Sequence, residues 1–394
     1  MPDKFTETKT IGLGSRLGTS VKNVFVGLLM FVASFGVLYW NEGRVDLATV
    51  AKQATEISAE TVADSSLNGK LVFVTGDVIT EETLGDGMFL SPGSYLAVER
   101  VVEMYAWVEQ TEEKENTNLG GSQTVETAYT YVKEWVASPP SSSAFKYPAE
   151  HTNPSLAFKD GSYAVTEAKV GVYSIDPIKA ELPEYSDLTL EPKILTLENS
   201  KVTLANSQYL FSPYTTGGNL TNPQVGDVRI SYKVLEPNFE GTAFGKLKGT
   251  QIDPYLDKDN NELYRLFAGT RDEAVATLHG EFVMMLWLMR ALGFLLMWVG
   301  LTALFGPFTT LLDVLPILGS LGRGVVGAVM FVVALILSIV TVLISMVIHN
   351  IVALIIVIAL ALVGLGLAMN ILRKKLKAKQ PGGLGGMVNN LLSK

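Results

Sequence analysis

Residues 286–372 are an almost unbroken run of Val, Leu, Ile, Ala, Met and Phe, interrupted mainly at Gly306-Pro307, between Asp313 and Arg323, and at His349-Asn350. A helix needs about 20 apolar residues to cross the hydrocarbon of a bilayer. Within it every backbone N–H and C=O must be paired inside the segment, so such runs form helices. Three spans follow, at 286–306, 324–348 and 351–372. A fourth apolar stretch, 24–40, stands far upstream, and the sequence between is polar. The expected fold class is an α+β membrane protein with four transmembrane helices, one N-terminal and three C-terminal. A large β-rich domain, residues 41–282, lies between the first and second.

Charge orients this arrangement. The formal net charge of −8 conceals a net of −16 over residues 44–282, against +1 for residues 1–43 and +7 for residues 283–394. Arg373, Lys374, Lys375, Lys377 and Lys379 follow the last span directly, and short Lys/Arg-rich flanks stay cytoplasmic. Four spans return the N-terminus to that side, where Lys4, Lys9, Arg16 and Lys22 agree, as does Arg323 in the 307–323 connection. Both termini are therefore expected in the cytoplasm: a flexible lead at 1–23 and a basic tail at 373–394. The acidic domain is expected outside it. Its charge disfavours nucleic acid, whose phosphates require a positive partner. Cysteine is absent, which excludes disulfides, thiolate metal sites and thiol nucleophiles. The 24–40 stretch is longer than the roughly 7–15 apolar residues of a signal peptide, and bulky Tyr39-Trp40-Asn41-Glu42 follows it, so it reads as an uncleaved anchor.

The polar region opens with a stretch at 47–63 that suits a short helix. From Lys70 the pattern becomes that of strands, with alternating runs at 95–110 and 124–136 around a charged, Asn- and Gly-rich turn. These two runs form an expected antiparallel hairpin. Successive strand side chains alternate faces, so Glu103, Tyr105, Trp107 and Glu109 share one face, opposite Tyr129, Tyr131, Lys133 and Trp135. Further strands are expected at 163–175, 201–210, 226–235, 241–252 and 263–267. Thr270 and Glu273 match a capping box, starting a helix that runs on into the second span. Residues 307–323 suit a segment lying in the membrane interface.

Several motifs in order resemble the transmembrane protein 43 (LUMA) family: Asn41-Glu42-Gly43-Arg44, Val102-Glu103-Met104-Tyr105-Ala106-Trp107-Val108-Glu109, Asn153-Pro154-Ser155 and Val225-Gly226-Asp227-Val228-Arg229. The plan of spans matches as well. The resemblance implies a location in the endoplasmic reticulum or inner nuclear membrane for an animal member, oligomerisation, and association with emerin and lamins. It implies no catalytic site and no cofactor. The lack of cysteine and the shortened loops mark a distant member of bacterial type, for which a cytoplasmic membrane is expected and lamins are not.

Candidate interaction residues are Glu42, Arg44, Glu103, Tyr105, Trp107, Glu109, Asp227, Arg229 and Arg290. Glu103 and Glu109 lie six residues apart on one strand, roughly 20 Å, too far to flank one scissile bond. The aromatic row around Trp107 reads as packing or interface. His151, His279 and His349 are scattered, without metal-ligand spacing. Glu42 and Arg44 border the first span, where snorkelling is the plain alternative. Arg290 lies inside an apolar run, where an ionisable side chain is either functional or an anchor near a helix end. The other C-terminal spans carry no charge, which disfavours a transporter. The function expected is a non-enzymatic multi-pass scaffold that binds membrane lipids, further copies of itself and other membrane or envelope proteins. The alternatives are a membrane-bound enzyme acting on lipid or envelope substrates and, more weakly, an oligomeric channel.

Overall fold

The computed structural model describes residues 3–197 and 201–350, together with Ile355. The expected span at 351–372 and the basic tail lie outside the described residues. The chain divides into two compact units, one of residues 1–16, 45–285 and 312–317, the other of residues 17–44, 286–311 and those from 318 onward.

The first unit is β-rich. Its strands are β1 (Lys4–Ile11), β2 (Leu71–Ile79), β3 (Ala97–Thr117), β4 (Gln123–Val136), β5 (Gly161–Ala164), β6 (Ala168–Val170), β7 (Tyr173–Ile175), β8 (Leu210–Ser212), β9 (Val228–Leu235), β10 (Phe239–Lys248), β11 (Gln251–Asp253) and β12 (Arg265–Ala268), with several two-residue pairings besides. One sheet runs in the order β1-β4-β3-β9-β8, with β5 beside β3. The other runs β12-β10-β11-β7-β6-β2, with β10 also paired to β2. The expected hairpin is present as β3–β4, in a register that sets Tyr105 opposite Trp135, Trp107 opposite Lys133 and Glu109 opposite Tyr131. Val98, Val102, Met104 and Ala106 point into the core, while Glu103, Tyr105 and Trp107 stay half-buried on the other face.

Two expectations change. The stretch at 47–63 is helical only as α2 (Leu47–Ala51), capped by the Asp46 side chain. The lead is not irregular. Residues 4–11 form β1 and pair antiparallel with β4, Lys4 opposite Thr130 and Ile11 opposite Gln123. Phe5 stacks on Tyr147 with ring centroids 4.3 Å apart, and the Tyr147 hydroxyl donates to Glu7 at 2.8 Å.

A buried polar network holds the loop before β3. The Asp86 carboxylate accepts from the backbone N–H of Met88, Phe89 and Leu90, from Arg100 at 2.7 Å and from the Tyr232 hydroxyl at 2.6 Å. Burial works to raise its pKa, but the bonds from Tyr232, Leu90, Arg100 and Met88 together hold it below the usual value. Burial, and then the same carboxylate, push the Tyr232 phenol far up. On the other sheet, Ala274, Val275 and Leu278 pack with Phe73, Phe244, Phe267 and the alanines of α2. They belong to α3 (Arg271–Leu304), which begins where expected: the Glu273 carboxylate reaches back to the Thr270 N–H at 2.8 Å.

The second unit contains most of α1 (Leu13–Glu42), the later part of α3, and α5 (Pro316–His349), with α4 (Gly306–Leu312) leading to α5. The 307–323 connection is therefore largely helical. Three helices among the described residues are long and apolar enough to cross a membrane. The α1 and α3 backbones touch directly at two glycines. A Cβ on Gly27 would stand 2.7 Å from the Ala303 Cβ, and one on Gly300 would stand 2.7 Å from the Gly27 carbonyl oxygen. Small residues that admit such approach are what associate helices in lipid, where no hydrophobic drive separates helix from solvent. Just past α1, a Cβ on Gly43 would run into the His349 ring of α5.

Candidate interaction face

The long hairpin carries most of the candidate residues, and the register explains how. On its outer face Arg229 of β9 lies opposite Glu103 of β3, joined by a 2.6 Å hydrogen bond. The guanidinium sits between two rings, 4.8 Å from the centroid of Trp135 and 4.7 Å from that of Tyr209. Tyr105 packs against Trp135 at 5.4 Å. One row further along, the Lys133 ammonium lies 4.4 Å over the Trp107 ring, whose other neighbour is the edge-on imidazole of His151 at 4.8 Å. His151 is buried and stacked at 3.8 Å on Tyr131. The result is a row of aromatic rings, each held by a cation or another ring, along a half-exposed strand face. Cations over such rings contribute about 0.5–1 kcal/mol each at exposed sites.

The carboxylates of the row are occupied. Glu103 is paired with Arg229, and their side chains are 23% and 22% exposed. Glu109 accepts from the Tyr131 hydroxyl and from the Lys146 N–H. Burial, and then the hydrogen bond to Glu109, push the Tyr131 phenol up to about 12. Among the described residues no group of three or more His, Asp or Glu is placed to hold a metal.

Asp227 is not a surface recognition residue. It is fully buried, and its carboxylate accepts from the N–H of Tyr214 and of Gln224, folding the loop before β9. Gly226 beside it has φ +97° and no room for a Cβ, with Pro154 and Tyr214 both within 2.7 Å. Asn153, which sequence reasoning noted only as part of a motif, has a defined task. Its Oδ1 accepts from the Trp107 N–H at 2.7 Å, and its Nδ2 donates to the Trp107 carbonyl at 2.9 Å. It thereby continues the ladder of β3 where β9 ends, and it fixes the backbone that presents Trp107. The only signal in the sequence was Asn-Pro, a turn dipeptide.

Glu42, Arg44 and Arg290 belong to the helical unit and are not part of this face. Arg290 donates from Nε and Nη2 to the two oxygens of Glu42, each at 2.8 Å. The Glu42 side chain is 3% exposed. Arg290 is thus half of a bidentate ion pair rather than a free anchor. Arg44 lies over Trp40 at 5.7 Å.

A family model described as Transmembrane protein 43 matches residues 104–351. Transmembrane protein 43 of Mus musculus is 29% identical over 357 residues, covering 86% of this chain and 87% of that protein. The Homo sapiens protein of the same name is 28% identical over 351 residues, covering 84% and 85%. A Transmembrane protein 43 homolog of Drosophila melanogaster is 28% identical over 290 residues, covering 70% and 74%. No solved structure matches the chain. With the helices long enough for spans, the β-rich unit and this family match over more than half its length, the chain belongs to the transmembrane protein 43 family of membrane proteins.

Proposed function

We propose that this protein is a non-enzymatic membrane scaffold. Its helices anchor an acidic, β-rich domain, and the outer face of the β3–β4 hairpin receives another protein, whether a second copy or another membrane or envelope protein. The observation that carries this reading is the aromatic and cationic row from Tyr209 through Arg229, Trp135 and Lys133 to Trp107. It combines rigid rings and a stacked guanidinium, the residue types that dominate protein interfaces, and its carboxylates are engaged in holding the row together. Charge supports an orientation with the basic 373–379 segment in the cytoplasm and the acidic domain outside it.

The experiment compares single substitutions in native membranes. Lys133→Glu should abolish co-purification of partner protein or higher assembly while leaving the melting temperature within a few degrees. Glu134→Gln, at an exposed carboxylate on the opposite face of β4 from Lys133, and His279→Asn should leave both unchanged. An enzyme depends on a positioned acid, base or nucleophile. Loss of cellular function from one carboxylate or histidine substitution, with fold and assembly intact, would overturn the scaffold in favour of the enzyme.

A further inference from the structure

The helical unit contains a cavity of about 360 Å³ between α1, α3 and α5. Its wall is apolar, formed by Leu38, Ala291, Phe294, Leu335, Ile339 and Leu343, and Arg290 with Trp287 stands at its margin. Trp287, Ile339 and Leu343 are all more than half exposed, so the cavity opens sideways from the helices. On α5 its lining runs from Leu335 to Leu343, about 12 Å of helix, within the ~15 Å hydrocarbon depth of one leaflet.

Arg290 gives this cavity a polar end. Its Nε and Nη2 are committed to Glu42, and the guanidinium carbon lies 4.9 Å from the Trp287 ring centroid. Nη1 has no hydrogen-bond partner among the described residues. An N–H left without an acceptor in a low-dielectric setting is costly, and ionisable groups at membrane depth are held by partners.

We propose that the cavity is a phospholipid site. A phosphate oxygen of the headgroup accepts from Nη1 of Arg290, and one acyl chain lies along Phe294, Leu335, Ile339 and Leu343. The guanidinium geometry suits phosphate, since its planar fork presents further donors beside the pair already used. Trp287, one residue into the apolar run, is of the residue type enriched at membrane interfaces. The site lies on the helices and does not depend on the hairpin face, so the two readings fail separately.

The test uses the full chain reconstituted in phosphatidylcholine vesicles containing a phosphatidylglycerol with a photoreactive group on one acyl chain. Illumination should label peptides of 335–343 and 287–294. Ala291→Trp, which fills the cavity from an exposed position, should reduce that labelling at least fivefold, and Leu335→Trp should do the same if Ala291→Trp misfolds. Leu29→Trp, on an exposed part of α1 outside the cavity, should leave it unchanged. Arg290→Met combined with Glu42→Gln, which removes the pair together, should also reduce it. Excess inorganic phosphate should not compete, because the acyl chain holds the lipid. Labelling insensitive to Ala291→Trp would mean ordinary boundary lipid and would overturn the proposal. So would full competition by phosphate alone, or a disulfide from Ile339→Cys to a second cysteine introduced within 351–372, or to the same cysteine of a second copy, which would show the cavity filled by protein.

Discussion

Trp107 is the residue whose loss should be most informative, because its surroundings set both the size and the sign of the effect. Removing a fully buried Trp costs about 3–5 kcal/mol. Trp107 is half-buried, with Lys133 over one face and His151 at its edge. About half that transfer energy is therefore at stake, plus about 0.5–1 kcal/mol for the ammonium–ring contact, giving about 2–3 kcal/mol for Trp107→Ala. The backbone bonds to Asn153 remain, since they involve no side-chain atom of Trp107. For a domain of this size 1 kcal/mol shifts the melting temperature by about 2–4 °C, so a fall of about 5–10 °C is expected. Thermal unfolding of the full chain in detergent, followed by the far-ultraviolet signal of the sheets, measures it. An unchanged melting temperature would refute the packing argument and leave Trp107 a free recognition residue. A loss above about 4 kcal/mol would show a ring far more enclosed than the structure has it.

Other expectations follow from single contacts. Thr6 and Ala128 are opposite residues in the β1–β4 ladder. The Tyr131 N–H bonds to the Asp3 carbonyl, so alternation makes Thr6–Ala128 a close, non-hydrogen-bonded pair. Thr6→Cys with Ala128→Cys should form a disulfide in native membranes, and its absence under mild oxidation would place the lead away from the sheet. Asp86→Ala strands a buried Arg100 and should cost about 3–5 kcal/mol in urea unfolding. Because the folded pKa of Asp86 is depressed, its stabilisation is present above the unfolded value and is lost as pH falls through the folded one. Acid unfolding should therefore be less steep in Asp86→Ala than in the wild type. Gly300→Leu would drive a side chain into Gly27 and Phe31 of α1, and loss of helical-unit stability in detergent by more than about 1–3 kcal/mol is expected. A neutral result would mean the two backbones are not in contact.

The parts of this molecule governed by local pattern were legible from the sequence. Hydropathy located α3 and α5 because a span is contiguous, and the period of two in Val102, Met104 and Ala106 located the hairpin and its outer face. The register that sets Tyr105 opposite Trp135 came only from the structure. What stayed hidden depends on residues far apart in the chain. Arg290 finds Glu42 across 248 positions, and Asp86 finds Tyr232 across 146. Strand β1 was hidden for a different reason: Lys4-Phe5-Thr6-Glu7-Thr8-Lys9-Thr10 is polar throughout apart from Phe5. It gains its place by covering an exposed edge, through backbone bonds that no side-chain pattern announces. Asp227 shows the converse error, since a carboxylate in a matching motif looked like a contact residue and is instead a buried loop clamp.

The most direct test of the scaffold is site-specific photocrosslinking from position 133 in native membranes. A photoreactive residue replacing Lys133 lies on the outer face of the hairpin, beside Trp107 and on an exposed stretch of β4. The scaffold predicts a discrete protein adduct, either a second copy of the 42.7 kDa chain or another membrane protein. It also predicts that the adduct is lost when Arg229→Ala dismantles the neighbouring stack. No protein adduct at position 133, in membranes where the protein is functional, would contradict the account.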